Sequence, residues 1–406
     1  MKPHPIRIAF HENRPPWEGT AGGIASYVRH RAWVLGEKGF EVWWFNREQC
    51  ACWSRQSKKW ESLHSFRKGG PAARLNLQRA PVWRFLTGEV QVDIVELPDG
   101  AAIKLPDEGN RTPRIVIACH TSSITRAMLN RDKSPGSVYN RLRGKLRIDR
   151  RRTHRNLRRA DGVIACSYEI ALLEAGLFDV HPDVFTVIHH AFSPVAESGF
   201  RIRAEGPHEG YFLVVGNLEF VKGFDLTMAG FALYRRKGGK ARLFFAGSPG
   251  FTDPNPQVKQ MLSLPGAVKA FEEIGKESVC FLGKLPKDEL AQLRARATAI
   301  VVGSRFEAFT MVAGESVLSG CPLILSNRTG WRGLAERYRA ARLFDPYDPA
   351  DLAGAMLEME NPKIRAEYQH NGDKLACYLT GDELAEKTAN WYRCLAEGRL
   401  RHLDPG

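Results

Sequence analysis

Short apolar runs rich in Val, Ile and Phe alternate with helical patterns along almost the whole chain. A run that is apolar at nearly every position is typical of a parallel strand buried on both faces. The alternation of such strands with helices therefore predicts an α/β fold built from doubly wound, Rossmann-like domains. The predicted strands are Ile6–Phe10, Ile115–Cys119, Val163–Cys166, Val184–His189, Tyr211–Val215, Leu243–Ala246, Val279–Leu282, Ala299–Val302 and Pro322–Leu325.

The periodicity stops between residues 193 and 210, where polar residues, Gly and Pro take over. That composition is typical of a linker. We predict a first Rossmann-like domain at 1–195, a linker at 196–209 and a second Rossmann-like domain at 210–380, each long enough for about six strands. Residues 50–88 show no clear pattern and stay unassigned.

The chain carries 59 Lys and Arg against 45 Asp and Glu, a formal charge of +14. Such an excess favours anionic partners. The densest cationic segment, Arg141–Arg159, fits attachment to an anionic membrane surface, binding of an acidic acceptor, or an ordinary solvated helix face. We expect no nucleic-acid partner, because no zinc finger, RNA-recognition signature or aromatic-rich basic patch accompanies this segment.

No apolar stretch is long enough to span a membrane, and the first residues lack the apolar core of a signal peptide. We therefore expect a cytoplasmic protein, attached peripherally to the inner face of the membrane if Arg141–Arg159 binds lipid. The eight cysteines form no evident disulfide framework. Cys50 and Cys52 lack a second pair at zinc-site spacing, so we expect no metal site.

In open parallel sheets, ligands bind beyond the carboxyl ends of the strands, so two such domains imply a cleft lined by strand-to-helix loops. Gly22 and Gly23 begin a helical pattern where a ligand anion can approach backbone N–H groups. His120 follows a predicted strand and could hydrogen-bond a substrate. Lys222 precedes the predicted helix Phe224–Arg236, where its charge could hold a phosphate. Each of these residues could equally be an ordinary loop or surface residue.

The segment Ser304–Glu315 carries the strongest signal, because it leads from a predicted strand into a helix and contains two glutamates. Glu307 is expected in the loop, and Glu315 about two turns into the helix. The first-turn N–H groups from Thr310 to Val312 lack intrahelical partners, so a diphosphate could dock on them. The alternative is two unrelated surface glutamates.

Taken together, these residues resemble glycosyltransferase family 4, whose members are retaining enzymes with the GT-B fold. The resemblance runs through the Gly22-Gly23 loop, His120, the Gly216–Lys222 loop, Ser304–Glu315 and Leu343–Asp348. It implies two Rossmann-like domains facing a cleft and a metal-independent hexosyltransferase. The enzyme would move a sugar from a UDP- or GDP-linked donor to a carbohydrate, glycolipid or other hydroxyl acceptor, in polysaccharide, lipopolysaccharide or glycolipid assembly. The nucleotide sugar would be a substrate, and no cofactor is implied.

The resemblance also implies a role for individual residues. Glu315 would bind the ribose, Glu307 the hydroxyls of the transferred sugar, and Lys222 the diphosphate. His120 would lie near that sugar from the acceptor-binding first domain, and residues 381–406 would form a helix that crosses back to the first domain. The implied catalytic residues are His120, Lys222 and Glu307, and the implied donor-binding residues are Gly22, Gly23, Asn217, Lys222, Phe309, Thr310, Met311, Val312 and Glu315.

Two positions depart from the family pattern. Asn217 stands where members often have Arg, and Asn cannot supply a charged bidentate fork to a diphosphate. Thr310 replaces a usual glycine and adds a hydroxyl group. Two alternatives therefore stay open: a nucleotide-sugar epimerase on the same fold, and a basic binding protein that has lost catalysis.

Overall fold

The computed structural model describes residues 4–17, 23–67, 79–99, 113–120, 150–193, 210–216, 220–247 and 276–400. The chain divides into two compact units. Unit 1 comprises Met1–Ala196 and Leu379–Gly406, and unit 2 comprises Glu197–Tyr378.

Strands and helices alternate in both units. The strands are β1 (Arg7–His11), β2 (Glu41–Phe45), β3 (Gln49–Ser54), β4 (Lys59–Ser65), β5 (Ile94–Pro98), β6 (Arg114–Cys119), β7 (Gly162–Ala165), β8 (Thr186–Val187), β9 (Tyr211–Val215), β10 (Arg242–Ala246), β11 (Val279–Gly283), β12 (Ala299–Val302), β13 (Leu323–Ser326) and β14 (Arg342–Phe344). The helices are α1 (Gly23–Glu37), α2 (Pro81–Arg84), α3 (Tyr168–Phe178), α4 (Phe224–Arg236), α5 (Lys287–Arg296), α6 (Met311–Leu318), α7 (Arg332–Tyr338), α8 (Pro349–Glu360), α9 (Pro362–Thr380) and α10 (Asp382–Ala396). Residues 150–159 are also helical. A π-helical turn spans Phe85–Val90, and 3₁₀ turns span Pro182–Val184, Phe220–Lys222 and Lys276–Ser278.

Unit 2 contains a parallel six-stranded sheet in the order β11-β10-β9-β12-β13-β14. The chain starts in the middle at β9, moves outward to β11, and then returns to β12 on the other side of β9. This is the doubly wound order, and its direction reverses between β9 and β12. The loops that follow these two strands therefore flank the position where such sheets bind ligands.

The core of unit 2 forms because its strands bury apolar side chains on both faces. Tyr211, Phe212 and Leu213 of β9 are fully buried. On one face, α8 packs closely against α4. A Cβ added to Gly230 of α4 would lie 2.5 Å from Leu352 of α8, so the small residue permits this close approach of the two helices.

Unit 1 contains an eight-stranded sheet in the order β4-β3-β2-β1-β5-β6-β7-β8. Six of these strands pair in parallel, in the order β2-β1-β5-β6-β7-β8. The other two, β3 and β4, form an antiparallel hairpin on the outer side of β2. The direction in which successive strands are added to the sheet reverses between β1 and β5. Within this unit α10 packs against α1, and Lys38 forms an ion pair with Glu386 at 3.0 Å.

The predicted doubly wound α/β class is confirmed in both units, with one correction in unit 1. Its sheet has eight strands rather than about six, and it ends in the β3–β4 hairpin. That hairpin lies in the part of the chain, residues 50–88, that the sequence pattern left unassigned. Most residues of its outer strand, β4, are exposed, so this strand is not apolar at every position. The continuous apolar run that predicted the buried strands is therefore missing here.

The predicted strand Val184–His189 is a second difference in unit 1, and β2, β5 and β14 are strands that the sequence analysis did not list. Only Thr186 and Val187 pair as a strand, β8, at the edge of the sheet. Pro182 begins a 3₁₀ turn that takes up Val184, so the strand cannot start where the apolar run starts. Within the described residues, no helix has the length and apolar character needed to cross a membrane.

Candidate active site

Lys222 and Glu307 meet at the switch point of unit 2. Lys222 ends the 3₁₀ turn after β9, and Glu307 lies in the loop after β12. The Lys222 Nζ atom is 3.0 Å from Glu307 Oε1. The lysine side chain is 31% exposed and the glutamate 14%, so a ligand can still reach the ammonium group. The sequence placed these two residues on separate loops, and the topology brings their charges into contact.

The two loops come together because two glycines let their backbones touch. Gly223 is the N-cap of α4 and adopts φ +66°, a conformation that favours glycine. A Cβ at Gly223 would lie 1.9 Å from the carbonyl oxygen of Gly303, the residue after β12. No other residue type fits there without moving the backbone. This close contact sets the distance between Lys222 and the Glu307 loop.

A bidentate ion pair fastens the loop after β12 to the start of α4. Arg305 donates to Asp225 through Nη1 at 2.7 Å and through Nη2 at 2.5 Å. The backbone N–H of Arg305 also donates to the carbonyl of Val221 at 2.9 Å. Both side chains of the ion pair are largely buried, at 8% and 16% exposure. A planar, two-bond pair of this kind fixes orientation as well as distance.

Glu307 is held by neighbours on both sides of its loop. The Ser304 hydroxyl donates to Glu307 Oε1 at 2.6 Å, the same oxygen that faces Lys222. Its backbone forms a bridge with Thr329, and the N–H of Gly330 donates to the Glu307 carbonyl at 2.8 Å. Ser304 and Lys222 therefore hold the carboxylate, and the loop after β13 holds the backbone of Glu307.

Phe309 and Thr310 lead into α6, as predicted. The Phe309 ring packs on the fully buried ring of Trp331, with centroids 4.7 Å apart. Thr310 is the N-cap of α6 but makes no side-chain capping bond. The helix begins at Met311, and the Ala313 N–H donates to the Thr310 carbonyl at 3.3 Å, so the N–H groups from Thr310 to Val312 are the ones left without a partner within the helix. Phe309 thus acts through packing, while the start of α6 offers backbone donors to an anion.

Glu315 lies in α6 and binds a buried arginine that the sequence pattern did not single out. Arg294 Nη2 is 2.7 Å from Glu315 Oε2, and the arginine side chain is only 1% exposed. Arg294 lies in the last turn of α5. The Tyr211 hydroxyl of β9 donates to the carbonyl of the preceding residue, Leu293, at 2.7 Å and fixes this end of α5. An arginine in the last turn of a helix looks like an ordinary surface residue in sequence, so no signal marked it.

His120 lies in unit 1, directly after β6, as the sequence predicts. Its backbone N–H donates to Asp99 Oδ1 at 3.5 Å, and its ring contacts Tyr27 of α1 at a centroid distance of 4.6 Å. The ring of His190 also contacts Tyr27, at 4.5 Å. Burial, aided by the positive charge of Arg31, lowers the pKa of His120 to about 3. The imidazole is therefore neutral at pH 7 and can exchange hydrogen bonds with a ligand, but it brings no positive charge.

Beneath His120, Tyr27 belongs to a buried polar network that sequence reasoning missed. The Tyr27 hydroxyl donates to Glu96 Oε1 at 2.7 Å, and Arg31 Nε donates to the Tyr27 hydroxyl at 3.1 Å. Tyr392 of α10 donates to the other oxygen of Glu96. Burial raises the pKa of Glu96. These bonds hold Tyr27, and with it the surface on which the His120 ring rests.

Gly22, Gly23 and Asn217 are the remaining residues predicted to bind the donor. Gly23 begins α1, and a Cβ added to it would meet nothing within 4 Å, so open space adjoins this helix start. Gly22 and Asn217 lie outside the described residues. In unit 2 the structure thus places Lys222 and Glu307 in contact. The residues from Phe309 to Glu315 form the end of the same loop and the first part of α6. His120 and Gly23 belong to unit 1.

The basic segment Arg141–Arg159 is described from residue 150 onward, where it is helical. Arg150 donates to the carbonyl of Leu177 at 2.9 Å, and His154 contacts the carbonyl of Phe178 at 2.6 Å, so this helix packs on the end of α3. A cavity of about 800 Å³ lies between them, lined by Arg150, Arg151, His154, Arg155, Arg158, Arg159, Phe178 and Asp179. Its lining contains five arginines and a single carboxylate, so an anion would be attracted to it.

Two family models match the chain, one in each half. The model described as Glycosyltransferase Family 4 matches residues 21–194, and the model described as Glycosyl transferases group 1 matches residues 198–375. Among curated proteins, the D-inositol 3-phosphate glycosyltransferase of Acidothermus cellulolyticus is 28% identical over 252 residues. That match covers 59% of this chain and 55% of the relative, so the chain spans about half the length of the curated relatives it matches.

Solved structures share the fold over nearly the whole chain. The sucrose-phosphate synthase of Thermosynechococcus elongatus superposes with a TM-score of 0.72 at 18% identity, covering 97% of this chain and 100% of that one. Anabaena Alr3699/HepE, solved in complex with UDP-glucose, superposes with a TM-score of 0.60 at 15% identity, covering 96% and 99%. At these identities the likeness shows the GT-B fold alone. Together with the two family models, which match one half of the chain each, it identifies a glycosyltransferase of GT-B fold that resembles glycosyltransferase family 4.

Proposed function

We propose that this protein is a retaining, metal-independent glycosyltransferase that moves a sugar from a nucleoside-diphosphate sugar to an acceptor hydroxyl. The contact between Lys222 and Glu307 at the switch point of unit 2 carries the proposal. A nucleotide sugar places a hydroxyl-bearing ring directly beside a diphosphate. A carboxylate and an ammonium group 3.0 Å apart match that pair of neighbours, since the carboxylate accepts from hydroxyls and the ammonium donates to phosphate.

Glu315 and the start of α6 supply the rest of the proposed donor site. Glu315 would accept hydrogen bonds from the ribose hydroxyls, and Arg294 would hold its carboxylate in place. The first-turn N–H groups of α6 lie in the chain between Glu307 and Glu315 and would receive the diphosphate. The three groups thus follow one another along this connection in the order sugar, diphosphate, ribose. This order is the order of the same parts in the donor.

In the proposed reaction, the bond between the anomeric carbon and the phosphate oxygen breaks, and its electron pair goes to the nucleoside diphosphate. The acceptor oxygen bonds to the anomeric carbon from the same face, and its proton passes to the departing phosphate. Lys222 and the N–H groups of α6 would stabilise the charge that develops on the leaving group. Preorganised donors of this kind are each worth about 3 kcal/mol of transition-state stabilisation. His120, from unit 1, is proposed to hydrogen-bond the transferred sugar as a neutral imidazole.

The acceptor is proposed to be a carbohydrate, a glycolipid or another hydroxyl compound with anionic character. The chain carries a formal charge of +14, and a relative is named for an action on D-inositol 3-phosphate. The arginines at 150–159 would attract an acidic acceptor or hold a cytoplasmic enzyme at an anionic membrane surface. Sedimentation with phosphatidylglycerol vesicles tests the membrane part. Binding that stays the same after Arg151, Arg155 and Arg158 are changed to Gln would contradict it.

The decisive experiment begins with a thermal-shift screen against UDP, GDP, ADP, TDP and CMP, each with and without magnesium. We expect a metal-independent rise in Tm with one nucleotide, lost in Glu315→Ala. The matching nucleotide sugar is then incubated with acceptor candidates, and the anomeric configuration of the product is read by NMR. Donor consumed without an acceptor to give an epimer would favour an epimerase, and donor bound without turnover would favour a binding protein.

A further inference from the structure

A cavity of about 520 Å³ lies in unit 1, away from the groups discussed so far. Its walls come from α1, from the β3–β4 hairpin and from Trp17, in the segment between β1 and α1. The lining residues are Trp17, Arg29, Trp33, Ala51, Trp53, Lys58, Lys59, Trp60 and Leu63. The hairpin that builds half of this cavity is the addition to the doubly wound sheet noted above, and the proposed reaction uses none of these residues.

Four tryptophans dominate the lining, and two pairs of them are in ring contact. The ring centroids of Trp53 and Trp60 are 5.5 Å apart at 67°, and those of Trp17 and Trp60 are 6.1 Å apart at 45°. Trp17 also meets the Trp44 ring edge to face at 5.0 Å, and it keeps 42% of its surface exposed, so it offers the most accessible indole of the four. A pyranose ring carries C–H bonds on its apolar face, which pack well on an indole face. The size of the cavity is within the range of small-ligand sites.

The polar side chains that line the cavity are cationic, whereas the tryptophan N–H groups beside it are buried. The indole N–H groups of Trp33 and Trp60 are buried, and neither has a hydrogen-bond acceptor within the described part of the chain. A ligand in the cavity meets the faces and edges of these rings rather than their N–H groups, so the charges of the lining decide between ligand classes.

The charges around the cavity are positive. Lys58 lies 5.8 Å from the centre of the Trp33 ring and forms an ion pair with Glu37. Lys59 is exposed and has no ion-pair partner within the described residues. Arg29 of α1 adds a third cation to the lining. A ligand that carries a carboxylate or phosphate group on its sugars would therefore be preferred to a neutral one.

We propose that this tryptophan cavity is a subsite for an acidic oligosaccharide, which extends acceptor recognition along unit 1. The tryptophan faces would stack on sugar rings, and Lys59 and Arg29 would bind their acidic groups. The inference rests on the proposed transfer to a carbohydrate acceptor and assigns that acceptor a charge.

Isothermal titration calorimetry on the full chain tests the subsite without any turnover. The acidic probes are hexasaccharides of hyaluronan, polymannuronate and polygalacturonate, with maltohexaose as the neutral probe and lauric acid as the lipid probe. We expect at least one acidic hexasaccharide to bind. Trp17→Ala should weaken its binding about tenfold, the loss typical of truncating a central aromatic contact. Lys59→Gln should weaken it about threefold while leaving the binding of maltohexaose unchanged.

Matched variants in unit 2 control for these substitutions. Tyr347 is 58% exposed, and Lys363 is an exposed lysine at the start of α9. Tyr347→Ala and Lys363→Gln should bind every probe as the wild type does. Three results would overturn the subsite: no acidic probe binds, Trp17→Ala leaves binding intact, or maltohexaose or lauric acid binds as tightly as the acidic chains. A nucleotide-induced rise in Tm that persists in Trp17→Ala separates failure of the subsite from failure of the proposed donor site.

Discussion

Arg294 Nη2 lies 2.7 Å from Glu315 Oε2, and this pair joins the end of α5 to the middle of α6. The arginine is almost entirely buried, whereas the carboxylate is 17% exposed. A ligand therefore meets the glutamate but not the arginine that orients it. Arg294 is in this sense a positioning residue for the proposed ribose contact.

Replacing Arg294 should weaken nucleotide binding through Glu315. In Arg294→Gln the carboxylate loses its charged partner and its fixed orientation, so we expect the Kd for the nucleotide found in the screen to rise about tenfold. Arg296→Gln, at an exposed position in the same turn, should leave that Kd unchanged. Calorimetric titration of the folded variants decides the point, and equal affinity in Arg294→Gln and wild type would show that Glu315 does not contact the nucleotide.

Lys222 and Glu315 should affect different kinetic constants. Lys222→Ala removes a charge that acts mainly on the departing diphosphate, so we expect kcat to fall about 10²- to 10³-fold with little change in donor affinity. Glu315→Ala should instead raise the Kd for the donor. Lys240→Ala is the control, since Lys240 is an exposed lysine of the same unit. If Lys222→Ala turned over normally, the lysine would not act on the leaving group.

Gly223→Ala should destabilise unit 2 through backbone contact. The new methyl group would meet the Gly303 carbonyl oxygen at 1.9 Å, in addition to the strain of a positive φ, and we expect a loss of roughly 3 kcal/mol or more. Gly238 also has a positive φ of +91° but has open space around it, so Gly238→Ala should cost only about 1–2 kcal/mol. Urea denaturation of both variants measures the difference, and equal losses would mean that the close approach is unimportant.

Acidification should destabilise unit 1 through its buried histidines. The folded pKa of His120 is about 3 and that of an unfolded histidine about 6.5, so below pH 6.5 the unfolded chain binds a proton that the folded chain does not. The contribution of His120 to the free energy of unfolding is therefore fully present above pH 6.5. It decreases as the pH falls, and about 2 kcal/mol of it is lost at pH 5. Burial lowers the pKa of His190 as well, which adds in the same direction.

The comparison of His120→Gln with wild type isolates that contribution. Free energies of unfolding at pH 7, 6 and 5 should fall less steeply in His120→Gln than in wild type. His4→Gln changes an exposed histidine of the same unit and should keep the wild-type slope. Parallel pH profiles for His120→Gln and wild type would contradict the assignment of the slope to His120.

The elements that the sequence predicted best are those whose burial alone determines them. Tyr211–Val215 and Ala299–Val302 agree with β9 and β12 residue for residue, because central strands of a parallel sheet are apolar on both faces. The outer hairpin was not predicted, since half of its residues face solvent. The edge strand β8 is shorter than its apolar run, because a proline-initiated turn competes for the same residues.

The candidate site shows the same division. Lys222, Glu307 and Glu315 could be found because charged residues after buried strands, or at the start of a helix, stand out in sequence. Their partners Arg294 and Asp225 could not be found in this way. Their contacts depend on which helices become neighbours in the fold, and the spacing of residues in the sequence does not show this. The roles assigned to all of the predicted site residues stay predictions, and Asn217 and Gly22 also lie outside the described residues.

The β3–β4 hairpin has a consequence for the behaviour of the protein in solution. Within the described residues β4 is the last strand of its sheet, and an edge strand is where another chain could add by strand pairing. Lys59 and Glu61 place opposite charges along this strand, and Ser62 takes a positive φ of 53° that interrupts its extended course. A strand that is charged and locally bent is a poor template for further pairing. The cavity beside this strand can therefore stay accessible to a small ligand at concentrations where a flat apolar edge would cause the protein to aggregate.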